Sequence, residues 1–211
     1  MPILKLYERA HVLARQGHVV MCVDEKTSLQ ARQCEGGVQA AAAGEPLKVG
    51  DRYVRRGALQ LFAALRVAGG ETMARCFGRK RFVEFQEFLR MLWGSVWCRQ
   101  IRCVHLILDN GSTHAPRQLA GWIATLGLKF EVKLHWLPVH ASWLDQIEIV
   151  FSQVPRQVLT PHHFTGVEQL ERTLLAHFEA CNRHPQPIRW SYTTKQLIAH
   201  HERRELEKLA A

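Results

Sequence analysis

The sequence predicts an α/β domain built on a mixed β-sheet of about five strands, flanked by α-helices on both faces. Three observations carry that expectation. Two nearly continuous apolar runs, His18–Val23 and Val104–Leu108, stop at acids, Asp24 and Asp109, as strands buried on both faces do. Between them, strand-like runs at 59–67 and 71–76 flank Gly69-Gly70, which reads as a hairpin turn. Beyond that hairpin, helical and strand patterns alternate, as in a sheet covered by crossover helices.

Residues 1–17 read as an N-terminal helix or linker with apolar positions Ile3, Leu4, Tyr7, Val12 and Leu13, broken by Gly17. The first strand continues extended through Thr27–Gln33, and the Gly- and Ala-rich stretch 34–50 reads as a loop. R-Y-V-R-R-G (52–57) forms a basic entry to the next strand. Apolar residues at 82, 85, 88, 89 and 92 have the period of a helix with one buried face. Ala115–Leu126 reads as a helix with Pro116 in its first turn and Gly127 closing it; Phe130–Leu137 alternates as a strand. Pro138 breaks that strand, and a helix restarts at Ser142. Thr165 is placed as an N-cap with Glu168 three residues on, a capping box. The helix it opens has the stripe Val167, Leu170, Leu174, Leu175 and Phe178. Residues 198–211 read as a charged C-terminal helix, which leaves 18–197 as one domain with no internal repeat.

Composition narrows the partners. Across 211 residues, 28 Lys+Arg stand against 19 Asp+Glu, a net charge of +9. Such an excess favours an anionic partner, nucleic acid above all, with a generically basic surface as the alternative. Six cysteines without C-x-x-C, and no H-E-x-x-H among the histidines, argue against a zinc site. Cys22 and Cys103 lie in apolar runs, where a reduced thiol packs as a small hydrophobe, so a cytoplasmic setting is expected. No apolar run approaches the roughly 20 residues that cross a bilayer, and the N-terminus lacks a signal-peptide pattern.

The chemistry is expected at the acids. Side chains at the carboxyl ends of strands leave the core and face a crevice; an Asp there is also a common turn or cap residue. Asp24 and Asp109 occupy such ends, and Asp145 and Glu148 follow on the restarted helix, three residues apart and so on one face. Carboxylates suit Mg²⁺ or Mn²⁺. Three of them holding two such ions about 4 Å apart activate a water or hydroxyl against a phosphodiester. Lys26, Arg52, Arg55, Arg56, Arg79, Lys80 and Arg81 are then candidate phosphate contacts, each with a solvated surface charge as its plainer reading, and His114 is a further candidate DNA contact. Glu25, next to Asp24, points to the opposite strand face and reads as a surface residue. Asn110 and His114 flank the second acid and could orient substrate or water; His114 reads equally well as a helix-start residue. Trp143 reads as a core residue, with stacking on a flipped base as the alternative. Trp190 and Tyr192 read as packing for the final helix.

Five segments taken together have a family likeness. V-D-E-K-T-S-L-Q, G-A-L-Q-L-F-A-A-L-R-V-A-G-G, L-D-N-G-S-T-H, S-W-L-D-Q-I-E-I-V-F-S and N-R-H-P-Q-P-I-R-W-S-Y-T resemble, in order, the catalytic domain of bacterial insertion-sequence DDE transposases of the mariner-related superfamily. The resemblance covers roughly residues 18–197. It implies an RNase H-like fold and a metal-dependent endonuclease that uses two Mg²⁺ or Mn²⁺ ions to cut DNA and transfer the freed 3′ end. It also implies a homodimer assembled on DNA and no small-molecule cofactor. Asp24, Asp109 and Glu148 match the three metal-binding acids. Asp145 stands where the family has Asn, as a helix cap or a rival ligand. The 38 residues between Asp109 and Glu148 slightly exceed the family's usual interval.

Family members carry helix-turn-helix modules before this domain, whereas this sequence starts 23 residues before Asp24. The chain therefore reads as a fragment or a separately encoded catalytic half, with weak, salt-sensitive DNA binding. The alternatives are a domesticated RNase H-like nuclease without strand transfer, and an inactive remnant that binds DNA or protein.

Overall fold

The apolar runs and the Gly69-Gly70 turn assemble into one five-stranded mixed sheet. The structure is a computed structural model and describes residues 2–35, 38–39, 42, 44, 48–49, 52–138, 141–160 and 163–191. The elements are α1 (Pro2–Arg15), β1 (His18–Cys34), β2 (Val38–Gln39), β3 (Lys48–Val49), β4 (Tyr53–Arg66), β5 (Thr72–Phe77) and α2 (Phe82–Trp93). Then follow β6 (Cys103–Leu108), α3 (Leu119–Ala124), β7 (Glu131–Trp136), α4 (Ile147–Gln157) and α5 (Val167–Asn182). The sheet runs β5-β4-β1-β6-β7, with β2 and β3 as a separate two-strand ribbon. β1 pairs antiparallel with β4, and β4 with β5; β1 pairs parallel with β6, and β6 with β7. This is the five-stranded mixed sheet flanked by helices that the sequence predicts.

Each sheet face supports a core of its own, because alternate residues of β1 point opposite ways. Val20 and Cys22 pack with Ile3, Leu4, Tyr7, Ile147, Phe151, Leu170 and Leu174 under α1, α4 and α5. Val19, Met21 and Val23 pack with Phe85, Phe88, Leu89 and Leu119 under α2 and α3. The α2 stripe behaves as expected, with Phe85, Phe88, Leu89 and Leu92 buried.

Several boundaries differ from expectation for local reasons. β4 begins at Tyr53, so the basic stretch 52–57 is largely strand. In α1, Ala10 is buried while Val12 is 46% exposed, so Val12 leaves the apolar face. The helix expected from Ala115 starts only at Leu119. The residue before a proline is barred from the helical region, and Ala115 adopts a left-handed φ of 42° that ends a 3₁₀ turn, Ser112–His114. The restart at Ser142 also splits: Ser142–Leu144 is a 3₁₀ turn, Asp145 is extended (φ −81°, ψ 114°), and α4 begins at Ile147. No Thr165/Glu168 capping box forms; Gly166 is the N-cap of α5, and the Thr165 amide and hydroxyl both donate to Gln169 Oε1. Trp190 packs edge-on against Tyr7 of α1, at 5.4 Å between ring centroids. Tyr192, the helix expected over 198–211 and most of the loop expected over 34–50 lie outside the described residues.

The hairpin depends on glycine. Gly70 has φ +81°, and a Cβ there would lie 2.1 Å from the Gln186 carbonyl oxygen, a collision with backbone that no rotamer relieves. Gly70→Ala is expected to destabilise the domain by about 1–3 kcal/mol, read as a lower urea midpoint at unchanged m-value.

Candidate metal centre

Parallel pairing brings Asp24 and Asp109 together. Cys22 is in register with Ile107, and each aspartate lies two residues beyond that pair, on the same face of adjacent strands. Both carboxylates are fixed by nearby backbone amides: Asp24 Oδ1 accepts from the Glu25 amide at 2.7 Å within β1, and Asp109 Oδ1 from the Gly111 amide at 2.8 Å just past β6. A Cβ on Gly111 would come within 2.9 Å of that same oxygen, so the close approach needs glycine. Asn110 is turned away to hold the β7 end, donating from Nδ2 to the Leu137 carbonyl.

His114 sits among the acids. The 3₁₀ turn after Asp109 drives its ring inward against Phe85, 4.7 Å between centroids, and the residue is fully buried. Nδ1 bonds Asp109 Oδ1 at 2.7 Å, while Nε2 lies 3.2 Å from Glu25 Oε2 in ion-pair geometry and 3.8 Å from Asp24 Oδ1. Burial alone would push the imidazole down, but the bonds to Asp109 and Glu25 and the charge on Asp24 outweigh it and hold its pKa at about 10. The ring is therefore a buried cation at neutral pH. Burial works the other way on Asp24 and raises it to about 7, His114 opposing. Asp109 is lowered, chiefly by its His114 bond. For Glu25, burial raises the pKa but the His114 bond leaves it lowered.

His114 was expected as a DNA contact or a helix-start residue. A fully buried ring reaches no phosphate, so the DNA-contact reading is corrected: His114 is the counter-ion of the acids. Glu25 was expected on the surface. Alternation does send it to the opposite face, but α2 and the Ser112–His114 turn cover that face. There it accepts from Thr113 Oγ1 at 2.9 Å and pairs with Lys80 at 3.6 Å.

The two later acids separate. Asp145 is 1% exposed, and its Oδ1 accepts from the Ile147 amide at 3.3 Å, so it caps α4 from below. Its extended backbone removes it from the helical face shared with Glu148. Burial first, then the charge on Asp24, raise its pKa well above the usual carboxylate value. Tyr7 and Cys22 lie against it; the Tyr7 hydroxyl is 3.2 Å from Cys22 Sγ and donates to the Leu144 carbonyl at 2.8 Å. Glu148 occupies the first turn of α4 and is exposed. Trp143 is 50% exposed, which corrects the core reading.

Of the basic candidates, Arg79, Lys80 and Arg81 form an exposed segment between β5 and α2, and Lys80 reaches the acids through Glu25. Arg81 is engaged by Glu84. Arg52, Arg55 and Arg56 are exposed at the far end of β4, with Arg56 bonded to Gln33. Lys26 is half-buried with its Nζ 5.9 Å over the Phe151 ring.

Donor atoms of Asp24, Asp109 and His114 lie within 4.8 Å of one another. Two carboxylates steadied by a buried imidazolium suit a hard divalent ion, and their crowding with Glu25 leaves negative charge for it to neutralise. A sequence profile described as DDE superfamily endonuclease matches residues 19–171. The chain belongs to that family. No curated protein matches at a significant level. Among solved structures, the catalytic core domain of BIV integrase is similar at TM-score 0.46 and 11% identity, covering 89% of this chain and 97% of that one. A chain of the simian T-cell lymphotropic virus intasome, in complex with PP2A regulatory subunit B56 gamma, is similar at TM-score 0.46 and 12% identity. That match covers 75% of this chain and 47% of that one, so the chain spans about half of the intasome chain's length. No helix among the described residues is long and apolar enough to cross a membrane.

Removing the buried cation should leave three carboxylates facing one another. His114→Ala is expected to cost roughly 3–5 kcal/mol, the usual penalty for breaking a buried charge pair, measured by chemical denaturation. Millimolar Mg²⁺ should restore part of the loss.

Proposed function

We propose that this DDE endonuclease is a transposase catalytic domain related to the bacterial insertion-sequence enzymes of the mariner group. On this reading it acts on DNA in the cytoplasm as a homodimer. The observation that carries the reading is the juxtaposition of Asp24, within β1 just past its pairing with β6, and Asp109, directly after β6, inside the segment that matches the family. Asp24, Asp109 and Glu148 are the residues that would hold Mg²⁺ or Mn²⁺, two per site. Bound there, such ions polarise a phosphoryl oxygen and lower the pKa of water or a 3′ hydroxyl.

The chain's own residues prepare that site. His114 locks the Asp109 carboxylate by a short charged bond, and Glu25 keeps the imidazolium in place from the other side. Glu148 is preferred over Asp145 as third ligand because it is exposed on the first turn of α4 with room to swing. Asp145 is committed to capping α4, and burial disfavours its ionised form. Arg79, Lys80 and Arg81 border the acids and are suited to meet the phosphates flanking the cut. The exposure of Glu148 favours one second reading: a remnant that binds DNA without cutting it.

On supercoiled plasmid with Mn²⁺, Asp24→Ala, Asp109→Ala and Glu148→Ala should each reduce nicking by more than about 100-fold, beyond the effect of losing an outer partner. Full activity in Asp24→Ala would refute the assignment, and an inactive wild type that still binds DNA would favour the remnant. The double variant Arg79→Glu, Lys80→Glu should weaken DNA binding for all sequences alike. Its salt dependence, as log Kd against log salt, should fall by about 0.9 for each phosphate that is no longer neutralised.

A further inference from the structure

At the opposite end of β1 from the acids, the sheet carries a second cluster. His18 opens β1 and is in register with Cys103, which opens β6. Cys103 and His105 are two apart on one strand and so share a face. That face carries His135 of β7 as well, because His105 is in register with Lys133 and Ile107 with His135. His18 Nδ1 lies 3.0 Å from His105 Nε2, and Cys103 Sγ lies 3.9 Å from the same nitrogen. One nitrogen or sulfur from each of the three lies within 4.8 Å of the others.

We propose that His18, Cys103 and His105 form a binding site for one borderline-soft divalent ion of the zinc or cobalt kind, distinct from the acid centre. The spacing suits such an ion: tetrahedral bonds of about 2.0–2.1 Å to nitrogen and 2.3 Å to sulfur place donors roughly 3.3–3.6 Å apart, and the two distances from His105 Nε2, 3.0 and 3.9 Å, straddle that range. Thiolate and imidazole donors select this class over Mg²⁺.

The neighbouring ring completes the arrangement. His105 Nδ1 lies 3.0 Å from His135 Nε2; when His105 donates there, its Nε2 carries the lone pair that faces His18 and Cys103. A histidine ligand oriented by a bond from its second nitrogen is the usual support of a metal site. The His105 ring is stacked between the other two, at 5.3 and 5.2 Å. Burial, with His135, His18 and Lys133 nearby, lowers the His105 pKa to about 4, so the ring stays neutral and able to coordinate. Burial and then Glu131 raise the Cys103 thiol, and a bound cation reverses that preference by stabilising the thiolate. Sequence spacing concealed the site because its ligands come from two strands 85 residues apart in the chain (His18 and Cys103) that only the parallel register brings together.

Co²⁺ titration of the metal-stripped protein tests this. In the wild type, one equivalent of the bound Co²⁺ should give a thiolate-to-cobalt charge-transfer band and the intense visible bands of tetrahedral cobalt. Asp24→Ala, which cripples the acid centre, and Cys181→Ser, which removes the exposed thiol, should keep those bands. Cys103→Ser should lose the charge-transfer band, and His18→Gln should lose the tetrahedral signature. His135→Gln should weaken binding roughly 10–100-fold. Absence of the charge-transfer band in the wild type, or its survival in Cys103→Ser, overturns the proposal and leaves a row of hydrogen-bonded histidines. If Cys103→Ser does not fold by circular dichroism, His18→Gln at its half-buried position decides, and unchanged tetrahedral bands there overturn the site. None of these outcomes depends on nicking activity.

Discussion

A buried positive charge surrounded by carboxylates governs this molecule. His114 is fully enclosed yet protonated, because Asp109, Glu25 and Asp24 offset the desolvation that would otherwise strip its proton. Without that cation, three acids from two adjacent strands would repel one another at low dielectric. The elements around the centre serve this arrangement. The 3₁₀ turn Ser112–His114 aims the ring, Ala115 ends the turn in a left-handed conformation, and Phe85 of α2 closes one side. A site that gathers negative charge around one fixed imidazolium is prepared for further cations at its open edge.

The parallel pairing of β1 with β6 sets both ends of the sheet at once. Its register puts His18 beside Cys103 at one end and carries Asp24 to Asp109 at the other. In between, Val19, Met21 and Val23 face one core, while Val20 and Cys22 face the second. A shift by one residue would exchange the two faces of β1 and set each of its side chains against the wrong core, so the two apolar cores enforce the register that the chemistry needs. The ends then differ by donor type: carboxylates for hard ions, imidazole and thiol for softer ones.

Much of the fold was legible because apolar patterning is local. The strands before Asp24 and Asp109, the Gly69-Gly70 hairpin and the stripe of α2 all follow from periods of two or 3.6 residues. Nearest-neighbour context misled at three points. Pro116 delayed α3, the Thr165 side chain chose Gln169 over the expected box, and Asp145 left the helix it was expected to ride. The proline acted through its steric restriction on Ala115, whereas at Thr165 and Asp145 a hydrogen bond of similar strength competed and only the packed surroundings chose.

Asp24 and Asp109 were marked by sequence alone, since an acid that ends an apolar run is visible in one dimension, although β1 itself continues past Asp24 to Cys34. The family likeness also lay in the ordered motifs. Glu25 and His114 needed the third dimension. Which face of β1 is covered, and which way a turn after Asp109 points its ring, depend on α2 packing from a distant part of the chain. The same holds for Asp145 and Glu148, three residues apart in sequence: one ended buried against Cys22 and Tyr7, the other in solvent. Sequence spacing records which residues can share a face, but burial, which sets their charge, is decided only when the helices close over the sheet.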